Sequence, residues 1–257
     1  MSSMHLRTDR ALSFGGAAEA YERSRPTYPE ALIDDLMALQ PHDVLDVGAG
    51  TGKAGRMLVA RGCTVTGVEP DARMAAIARR HGYQAVDEAR FEDWDARERS
   101  FDLIVSGQAW HWVDPEVGPR KARSLLRDTG HLAAFWNLIL HQETVRARLT
   151  PVYARFAPQL VETTQALGVM DNDDAERAQQ LADLGGFLVE ARTYQRDIEY
   201  TREQWLDYLG TCSDHLLLPK EQRAVLLHGV GEAIDGMGGA ISVQMGTVLL
   251  LGSLPER

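Results

Sequence analysis

The feature that most constrains this sequence is a short apolar strand that runs directly into a glycine-rich turn, VLDVGAGTG, at residues 44–52. An apolar run of this kind is typical of a strand buried on both faces of a parallel sheet. Asp46 interrupts the run, and a carboxylate there is costly to bury unless a neighbouring group hydrogen-bonds to it. The three glycines permit positive φ angles and let a ligand approach the main chain. A helix predicted from Lys53 would point its amino terminus at that ligand.

The spacing of the glycines separates three kinds of nucleotide-binding loop. A phosphate-binding P-loop needs a glycine five residues before its Gly-Lys pair and a Ser or Thr after it, whereas this chain has Val47 and Ala54 there. A dinucleotide-binding loop needs glycines at its first, third and sixth positions, and the sixth position from Gly48 is Lys53. A Gly-x-Gly-x-Gly turn with Asp46 two residues ahead instead resembles the cofactor loop of class I S-adenosylmethionine-dependent methyltransferases.

Composition and charge bound the possible partners. The 257 residues are 44% hydrophobic and 25% charged, as in an ordinary globular protein. The formal net charge of -10 argues against a nucleic-acid substrate, because polyanion binding draws on clustered Lys and Arg. No stretch approaches the roughly 20 apolar residues of a membrane span, and the amino terminus lacks a signal-peptide apolar region, so we expect a cytoplasmic protein without a membrane partner. Cys63 and Cys212 lack metal-ligand spacing, and no metal is expected.

The amino-terminal region carries a second motif, YERSRPTYP at residues 21–29. Helical spacing places Tyr21 and Arg25 one turn apart, and Pro26 ends the helix. The motif resembles the segment with which a subgroup of small-molecule methyltransferases, the type 11 group, closes over its cofactor. This resemblance implies that both side chains contact the cofactor, the planar arginine fork being suited to its carboxylate. A packed Tyr-Arg pair on the surface is the alternative.

A second predicted strand, at residues 63–69, ends in an acid. Glu69 lies 17 residues beyond Gly52, close to the spacing at which an acidic strand end accepts hydrogen bonds from ribose hydroxyls. Pro70 begins the next helix. Met74, one turn into that helix, lies either against the adenine or in the core.

Two later segments complete the cofactor site that the resemblance implies. Phe91 and Glu92 match the segment that borders the adenine. Ser106, at the end of a buried fourth strand, and Gln108 match positions that flank the methionine end. The implied cofactor-binding residues are Tyr21, Arg25, Asp46, Gly48, Ala49, Gly50, Gly52, Glu69, Pro70, Met74, Phe91, Glu92, Ser106 and Gln108.

Aromatic residues follow the fourth and fifth predicted strands. Trp110 and Trp112 flank His111 and either form an aromatic wall near a sulfonium, which cation–π attraction would favour, or pack the following helix. His111 is the candidate general base or substrate-orienting group, because imidazole titrates near neutral pH. Trp136 and Asn137, at the carboxyl end of the fifth strand, are expected to line the substrate pocket.

The chain as a whole is expected to form an α/β fold. The resemblance implies a Rossmann-like sheet of seven strands, mostly parallel with an antiparallel last strand, and helices on both faces. We predict a single methyltransferase domain whose parts are lid helices at residues 1–40, a cofactor-binding core at 41–137, a helical cap at 138–184 and a completion of the sheet at 185–257. A turn is predicted at residues 128–130, and an acidic turn at 171–174 favours a helix cap over a calcium loop.

The predicted activity is transfer of a methyl group from S-adenosyl-L-methionine to a small-molecule acceptor by in-line displacement, with S-adenosyl-L-homocysteine as product. Two alternatives stay open: a non-catalytic protein that binds S-adenosylmethionine, and a nicotinamide-dependent oxidoreductase, which Lys53 disfavours. The Asn-Pro-Pro-Tyr signature of many amino-group methyltransferases is missing after the fourth strand, which argues against nucleobase chemistry. The accepting atom, oxygen, nitrogen or carbon, stays open, and a monomer or homodimer is expected.

Overall fold

The computed structural model describes residues 18–168 and 174–255, and a seven-stranded sheet dominates these ranges. The strands are β1 (Asp43–Val47), β2 (Thr64–Val68), β3 (Ala85–Asp87), β4 (Phe101–Gly107), β5 (Leu126–Leu140), β6 (Leu188–Thr201) and β7 (Ala240–Ser253). Their order across the sheet is β3-β2-β1-β4-β5-β7-β6. β1 to β5 pair in parallel, whereas β7 runs antiparallel to both β5 and β6. The predicted Rossmann-like sheet with one antiparallel last strand is confirmed.

Helices cover the sheet. The α-helices are α1 (Ala18–Ser24), α2 (Glu30–Met37), α3 (Gly55–Val59), α4 (Ala72–Ala78), α5 (Gly118–Leu125), α6 (Glu143–Phe156), α7 (Asp174–Gly185), α8 (Arg202–Leu209), α9 (Ser213–Leu216) and α10 (Lys220–Asp235). Short 3-10 helices lie at Arg79–His81, Trp110–Trp112, Pro158–Leu160 and Gln165–Leu167. Within the described ranges, none of the helices is long and apolar enough to cross a membrane. Residues 1–17 and the acidic turn predicted at 171–174, apart from the start of α7, lie outside the described residues.

Side chains of alternate residues in the central strands pack into two apolar layers. Val44 of β1 and Leu103 of β4 lie in one layer, on the face covered by α2 and α3. Leu45 and Ile104, the next residue of each strand, lie in the opposite layer with α5. All four side chains are fully buried. Because both faces of the strands are covered, a ligand can reach this part of the sheet at the carboxyl ends of the strands.

The fifth strand is longer than the sequence predicted. The turn expected at residues 128–130 is a bulge inside β5, and the pairing with β4 skips this segment. At its other end β5 continues through residues 138–140, because they pair with β7. The helical pattern predicted from residue 138 therefore begins only at Glu143.

A third apolar cluster lies beneath α6, α8 and α10. α6 continues through Pro151, and the fully buried Leu149 and Tyr153 anchor the helix on either side of the proline. Trp205 of α8 and Leu226 of α10 belong to the same cluster. This packing holds α6, α8 and α10 together.

The division of the chain into lid, core, cap and completion stays a prediction.

Candidate functional site

Hydrogen bonds to the neighbouring strand fold the glycine-rich turn after β1. The backbone N–H groups of Gly48 and Ala49 both donate to the carbonyl of Val68, at 2.9 and 3.1 Å. Gly48 has a φ angle of 66°, and a Cβ there would lie 2.4 Å from the Cβ of Ala109, in the loop after β4. Glycine is therefore required both by backbone conformation and by space. The turn brings the ends of β1, β2 and β4 together.

Asp46, near the end of β1, is buried beside this turn, and its carboxylate accepts hydrogen bonds from two donors. Its Oδ2 accepts a 2.6 Å hydrogen bond from the hydroxyl of Tyr83 and a 3.1 Å bond from the backbone N–H of Gly55. Its Oδ1 has no hydrogen-bond partner among the described residues. Burial outweighs the two donors and raises the pKa of Asp46 to about 6. One oxygen of the carboxylate is thus available to accept a hydrogen bond from a ligand.

Glu69 follows β2 and braces the turn from the other side. One carboxylate oxygen accepts a 2.9 Å hydrogen bond from the N–H of Gly50, and the other accepts a 2.9 Å bond from the N–H of Asp71. Burial, partly opposed by these bonds, raises the pKa of Glu69 to about 7. Each oxygen retains a lone pair for a further donor. This geometry is compatible with the predicted ribose contact, which stays a prediction.

A cavity of about 620 Å³ extends from the glycine turn to the carboxyl-terminal helices. The predicted cofactor-binding residues that line it are Tyr21, Arg25, Asp46, Gly48, Ala49, Gly50, Glu69, Pro70, Met74, Phe91, Glu92 and Gln108. The predicted substrate or catalytic residues that line it are His111, Trp112 and Asn137. Its far wall contains residues that no sequence motif singled out, among them Glu162, Gln165, Tyr208, Cys212 and Asp214. Their roles toward a ligand stay predictions.

Four predicted site residues do not line this cavity: Gly52, Ser106, Trp110 and Trp136. Gly52 is packed against α4. The fully buried hydroxyl of Ser106 donates a 2.9 Å hydrogen bond to the carbonyl of Val47, which ties β4 to β1. Trp110 packs on Phe91 with 6.1 Å between ring centroids. These four residues pack internally instead of lining the cavity, and their assignment to cofactor or substrate contacts stays a prediction.

Lys53, which excluded a dinucleotide fingerprint, holds the amino-terminal helix on the glycine turn. Its Nζ donates a 2.7 Å hydrogen bond to the carbonyl of Glu22 in α1 and lies 3.7 Å from the Glu22 carboxylate. Arg56 of α3 pairs with the same carboxylate. The sequence contained no local signal for this anchor, because its members are about thirty residues apart.

Arg25 joins the amino-terminal segment to the end of α8. Its Nε donates to Oγ1 of Thr211 and one terminal nitrogen donates to the Thr211 carbonyl, both at 2.9 Å. Its guanidinium lies 4.6 Å from the ring centroid of Tyr208. The same terminal nitrogen lies 3.4 Å from Sγ of Cys212. Tyr208 and Thr211 were missed from sequence, because they are more than 180 residues away from Arg25.

The loop after β4 and the end of β5 are joined by side-chain hydrogen bonds. Gln108 has a positive φ of 60°, and its amide donates a 3.0 Å bond to the carbonyl of Asn137. Asn137 in turn accepts a 2.6 Å bond from the hydroxyl of Thr247. Nε1 of Trp136 donates a 3.0 Å bond to Nδ1 of His111. Trp136 therefore contacts a cavity residue without reaching the cavity itself.

Cys212, Asp214 and His215 have ligand-type atoms within 4.8 Å of one another. Each nitrogen of His215 already has a partner, Tyr153 at 2.8 Å and Asp214 at 2.7 Å. Burial raises the pKa of Cys212 to about 11, and the Arg25 cation donates to its sulfur. A thiolate is the form that ligates metals, so these contacts favour a structural role for the cluster.

Comparison with known proteins finds a family match over the central segment, about a third of the chain. Residues 45–134 match the family model described as a methyltransferase domain. An uncharacterized methyltransferase of Mycobacterium tuberculosis is 42% identical over 132 residues, which cover 51% of this chain and 54% of the relative. A probable S-adenosylmethionine-dependent methyltransferase of Saccharomyces cerevisiae is 32% identical over 127 residues, or 45% of this chain and 43% of the relative. The chain thus spans about half the length of the curated relatives that it matches.

Solved structures share the fold over most of the chain. A protein from Anaeromyxobacter dehalogenans assigned as a type II methyltransferase superposes with a TM-score of 0.69 and 24% identity, covering 90% of this chain and 99% of that one. Phosphoethanolamine N-methyltransferase 2 of Haemonchus contortus, in complex with S-adenosylhomocysteine, gives a TM-score of 0.55 at 16% identity, covering 100% of this chain and 61% of that one. At these identities the similarity concerns the fold.

Proposed function

We propose that this chain is a class I methyltransferase that transfers a methyl group from S-adenosylmethionine to a small-molecule acceptor, a proposal that the family match over residues 45–134 and the similar proteins support. The observation that carries the proposal is the pair of buried acids, Asp46 and Glu69, on either side of a glycine turn in one cavity wall. Two acids beside the turn favour a cofactor with cationic groups and ribose hydroxyls. They disfavour the pyrophosphate of a nicotinamide dinucleotide, because like charges repel.

The residues present fit the cofactor. Oδ1 of Asp46 is a buried acceptor that lacks a partner in the described part of the chain, and burying such an atom is costly unless a ligand supplies a donor. Gly48 lines the same wall and has no side chain, so a ligand can approach its main chain. We assign Glu69 to the ribose hydroxyls and Phe91 with Glu92 to the adenine. Tyr21 and Arg25 would close over the amino-acid end.

The protein's contribution to the reaction is placement and exclusion of water. When bound, S-adenosylmethionine supplies a methyl group activated by its sulfonium, and the electrons of the broken carbon–sulfur bond stay on sulfur. The chain's own residues then need to orient an acceptor in line with that bond. His111, Trp112 and Asn137 line the cavity beyond the glycine turn and are assigned to the acceptor. α1, anchored through Lys53, would limit access of water.

A small acceptor is supported by the size of the site. The cavity of about 620 Å³ lies within the size range of small-molecule sites. The net charge of -10 also disfavours a nucleic-acid acceptor. Cytoplasmic action as a monomer or homodimer is part of the same proposal.

Calorimetry and a transfer assay test the proposal together. We expect S-adenosylmethionine and S-adenosylhomocysteine to bind, and NADH not to bind. Incubation with methyl-labelled S-adenosylmethionine and a metabolite extract should label one or a few small products, whose masses identify the acceptor. Binding of NADH alone would overturn the cofactor assignment. Binding of S-adenosylmethionine without transfer to any acceptor would instead identify a non-catalytic binding protein.

A further inference from the structure

The hydrogen bond between Trp136 and His111 fixes which nitrogen of the histidine carries a proton. Nε1 of Trp136 lies 3.0 Å from Nδ1 of His111. An indole nitrogen can only donate, so Nδ1 must present its lone pair. A neutral imidazole has one donor and one acceptor nitrogen, and the proton of His111 therefore resides on Nε2.

The surrounding structure buries Trp136. Trp136 lies in β5 with 4% of its surface exposed, and the guanidinium of Arg177 lies 4.9 Å from its ring centroid. His111 lies in the 3-10 helix after β4. β4 and β5 are paired in register up to Gly107 and Phe135, which lie four residues before His111 and one residue before Trp136. The indole thus lies within β5 and the imidazole follows the end of the adjacent strand β4, and the imidazole is the one that lines the cavity.

We propose that Trp136 is a positioning residue that fixes His111 as the Nε2–H tautomer, so that His111 acts as a hydrogen-bond donor and not as a general base. A base must receive a proton on a nitrogen that lacks one. In this tautomer Nε2 already carries a proton, and protonation of Nδ1 would set two N–H groups against each other. Of the two roles that the sequence left open for His111, the geometry thus favours orientation.

This assignment, which rests on the proposed methyl transfer, narrows the chemical class of the acceptor. An alcohol that depends on His111 for deprotonation is disfavoured. The fitting acceptor attacks with a lone pair that is available at neutral pH, as a carboxylate or an uncharged amine does. That lone pair forms the new bond to the methyl carbon while the carbon–sulfur pair stays on sulfur. A carboxylate then has no proton to lose, and an amine gives its proton to solvent after transfer.

Nuclear magnetic resonance of the full chain with 15N-labelled histidine tests the tautomer directly. Two-bond couplings to the ring protons separate protonated from unprotonated nitrogens, and His111→Gln assigns the signals. We expect wild-type His111 to show an unprotonated Nδ1 and a protonated Nε2. Trp136→Phe keeps an aromatic ring for Arg177 but lacks the N–H, and should lose this single-tautomer pattern. A protonated Nδ1 in the wild-type protein, or an unchanged spectrum in Trp136→Phe, would overturn the proposal.

Trp94 provides a matched control for the substitution. Like Trp136 it is buried, its Nε1 donates a hydrogen bond, here to Asp87 at 2.8 Å, and an arginine, Arg99, lies 4.8 Å from its ring centroid. Trp94→Phe therefore removes an equivalent indole donor elsewhere. It should leave the His111 signals unchanged, and a similar change there would show that both substitutions merely loosen the fold.

The activities of two His111 variants distinguish a hydrogen-bond donor from a general base. Glutamine keeps an N–H donor but cannot act as a base at neutral pH, whereas alanine keeps neither. We expect His111→Gln to retain about tenfold more activity than His111→Ala. An equal loss of about a hundredfold or more in both would indicate general-base catalysis and contradict the proposal. If no transfer is found at all, the proposed function fails, whereas the spectra still decide the tautomer.

Discussion

The hydroxyl of Tyr83 donates a 2.6 Å hydrogen bond to Asp46, which makes the acid of the glycine turn part of the core. Tyr83 comes from the segment between α4 and β3, and its ring also packs against Gly52 and Gly67. One side chain therefore supports the turn, the strand beside it and the buried carboxylate. The position of Asp46 in the cavity wall depends on a residue that shares no motif with it.

We expect Tyr83→Phe to destabilise the protein by about 1–3 kcal/mol, because it leaves the buried Oδ2 of Asp46 with a single donor. Urea unfolding followed by circular dichroism measures the change. Tyr194→Phe is the control, since its hydroxyl donates an equally short 2.6 Å bond to the more exposed Asp35. Water can replace that donor, so the cost there should be under about 1 kcal/mol. Equal losses in the two variants would contradict the role assigned to burial.

The raised pKa of Asp46 predicts a pH-dependent stability difference. Burial raises this pKa from 3.8 to about 6 in the folded protein. A raised folded pKa means that the contribution is fully present below the unfolded value and is lost as pH rises through about 6. Asp46→Asn cannot ionise and keeps an acceptor oxygen for Tyr83. The wild-type free energy of unfolding should therefore fall, relative to Asp46→Asn, by about 2–3 kcal/mol between pH 4 and 7 in the cofactor-free protein. A constant difference across this range would refute the shift.

Glu69 predicts a pH dependence of cofactor affinity. Its pKa of about 7 means that the carboxylate becomes fully ionised as pH rises from 6 to 8, and an ionised acceptor binds ribose hydroxyls more strongly. Calorimetry should show S-adenosylmethionine binding tighter at pH 8 than at pH 6 in the wild type. Glu69→Gln should bind about ten- to a hundredfold more weakly at pH 8, with little dependence on pH. Glu88→Gln, which alters an exposed ion pair with Arg79, should behave as the wild type.

Local sequence pattern was sufficient to predict one wall of the cavity. The turn at residues 44–52 and the acid at Glu69 follow from strand endings and glycine spacing, which adjacent residues determine. The sequence pattern could not predict which side chains reach the cavity, because that depends on the orientation of each side chain. The side chains of Trp136 and Asn137, consecutive residues of β5, point to opposite faces of the strand, and only the second of the two lines the cavity.

The far wall of the cavity could not be predicted for a different reason. Tyr208 and Thr211 meet Arg25 through packing of α8 on the amino-terminal segment. Such contacts depend on where a helix docks, and nothing in the residues around position 210 encodes that arrangement. The Lys53 anchor on Glu22 is of the same kind. The resemblance to a family implied the cofactor, whereas tertiary contacts bring together the residues of the far wall of the cavity.

Gly48→Ala should be more damaging than a substitution with the same backbone strain alone. Gly62 is the matched control, because it also has a positive φ, 91°, but a Cβ there meets no atom within 4 Å. We expect Gly62→Ala to cost about 1–2 kcal/mol from left-handed strain. Gly48→Ala adds a 2.4 Å clash with Ala109 and should cost clearly more. It should also weaken S-adenosylmethionine binding, whereas Gly62→Ala should not. Denaturant unfolding and calorimetry measure the two effects, and equal behaviour would mean that the turn tolerates movement of Ala109.

Arg25→Lys tests whether the arginine serves the fold, the cofactor or both. An ammonium cannot reproduce the two parallel bonds that the guanidinium makes to Thr211 at 2.9 Å. We therefore expect a loss of stability of about 1.5–3 kcal/mol. Arg192→Lys is the control, since Arg192 pairs with Asp35 at the surface and should cost no more than about 1 kcal/mol.

Cofactor affinity of the same variants decides the second role. If Arg25 also meets the cofactor carboxylate, Arg25→Lys should bind S-adenosylmethionine about tenfold more weakly. It should bind 5′-methylthioadenosine, which lacks the amino-acid end, with unchanged affinity. If the variant loses stability but binds each ligand as tightly as the wild type does, Arg25 only ties the amino-terminal segment to α8. Equal weakening toward both ligands would point to a displaced segment, because a lost carboxylate contact acts on one ligand alone.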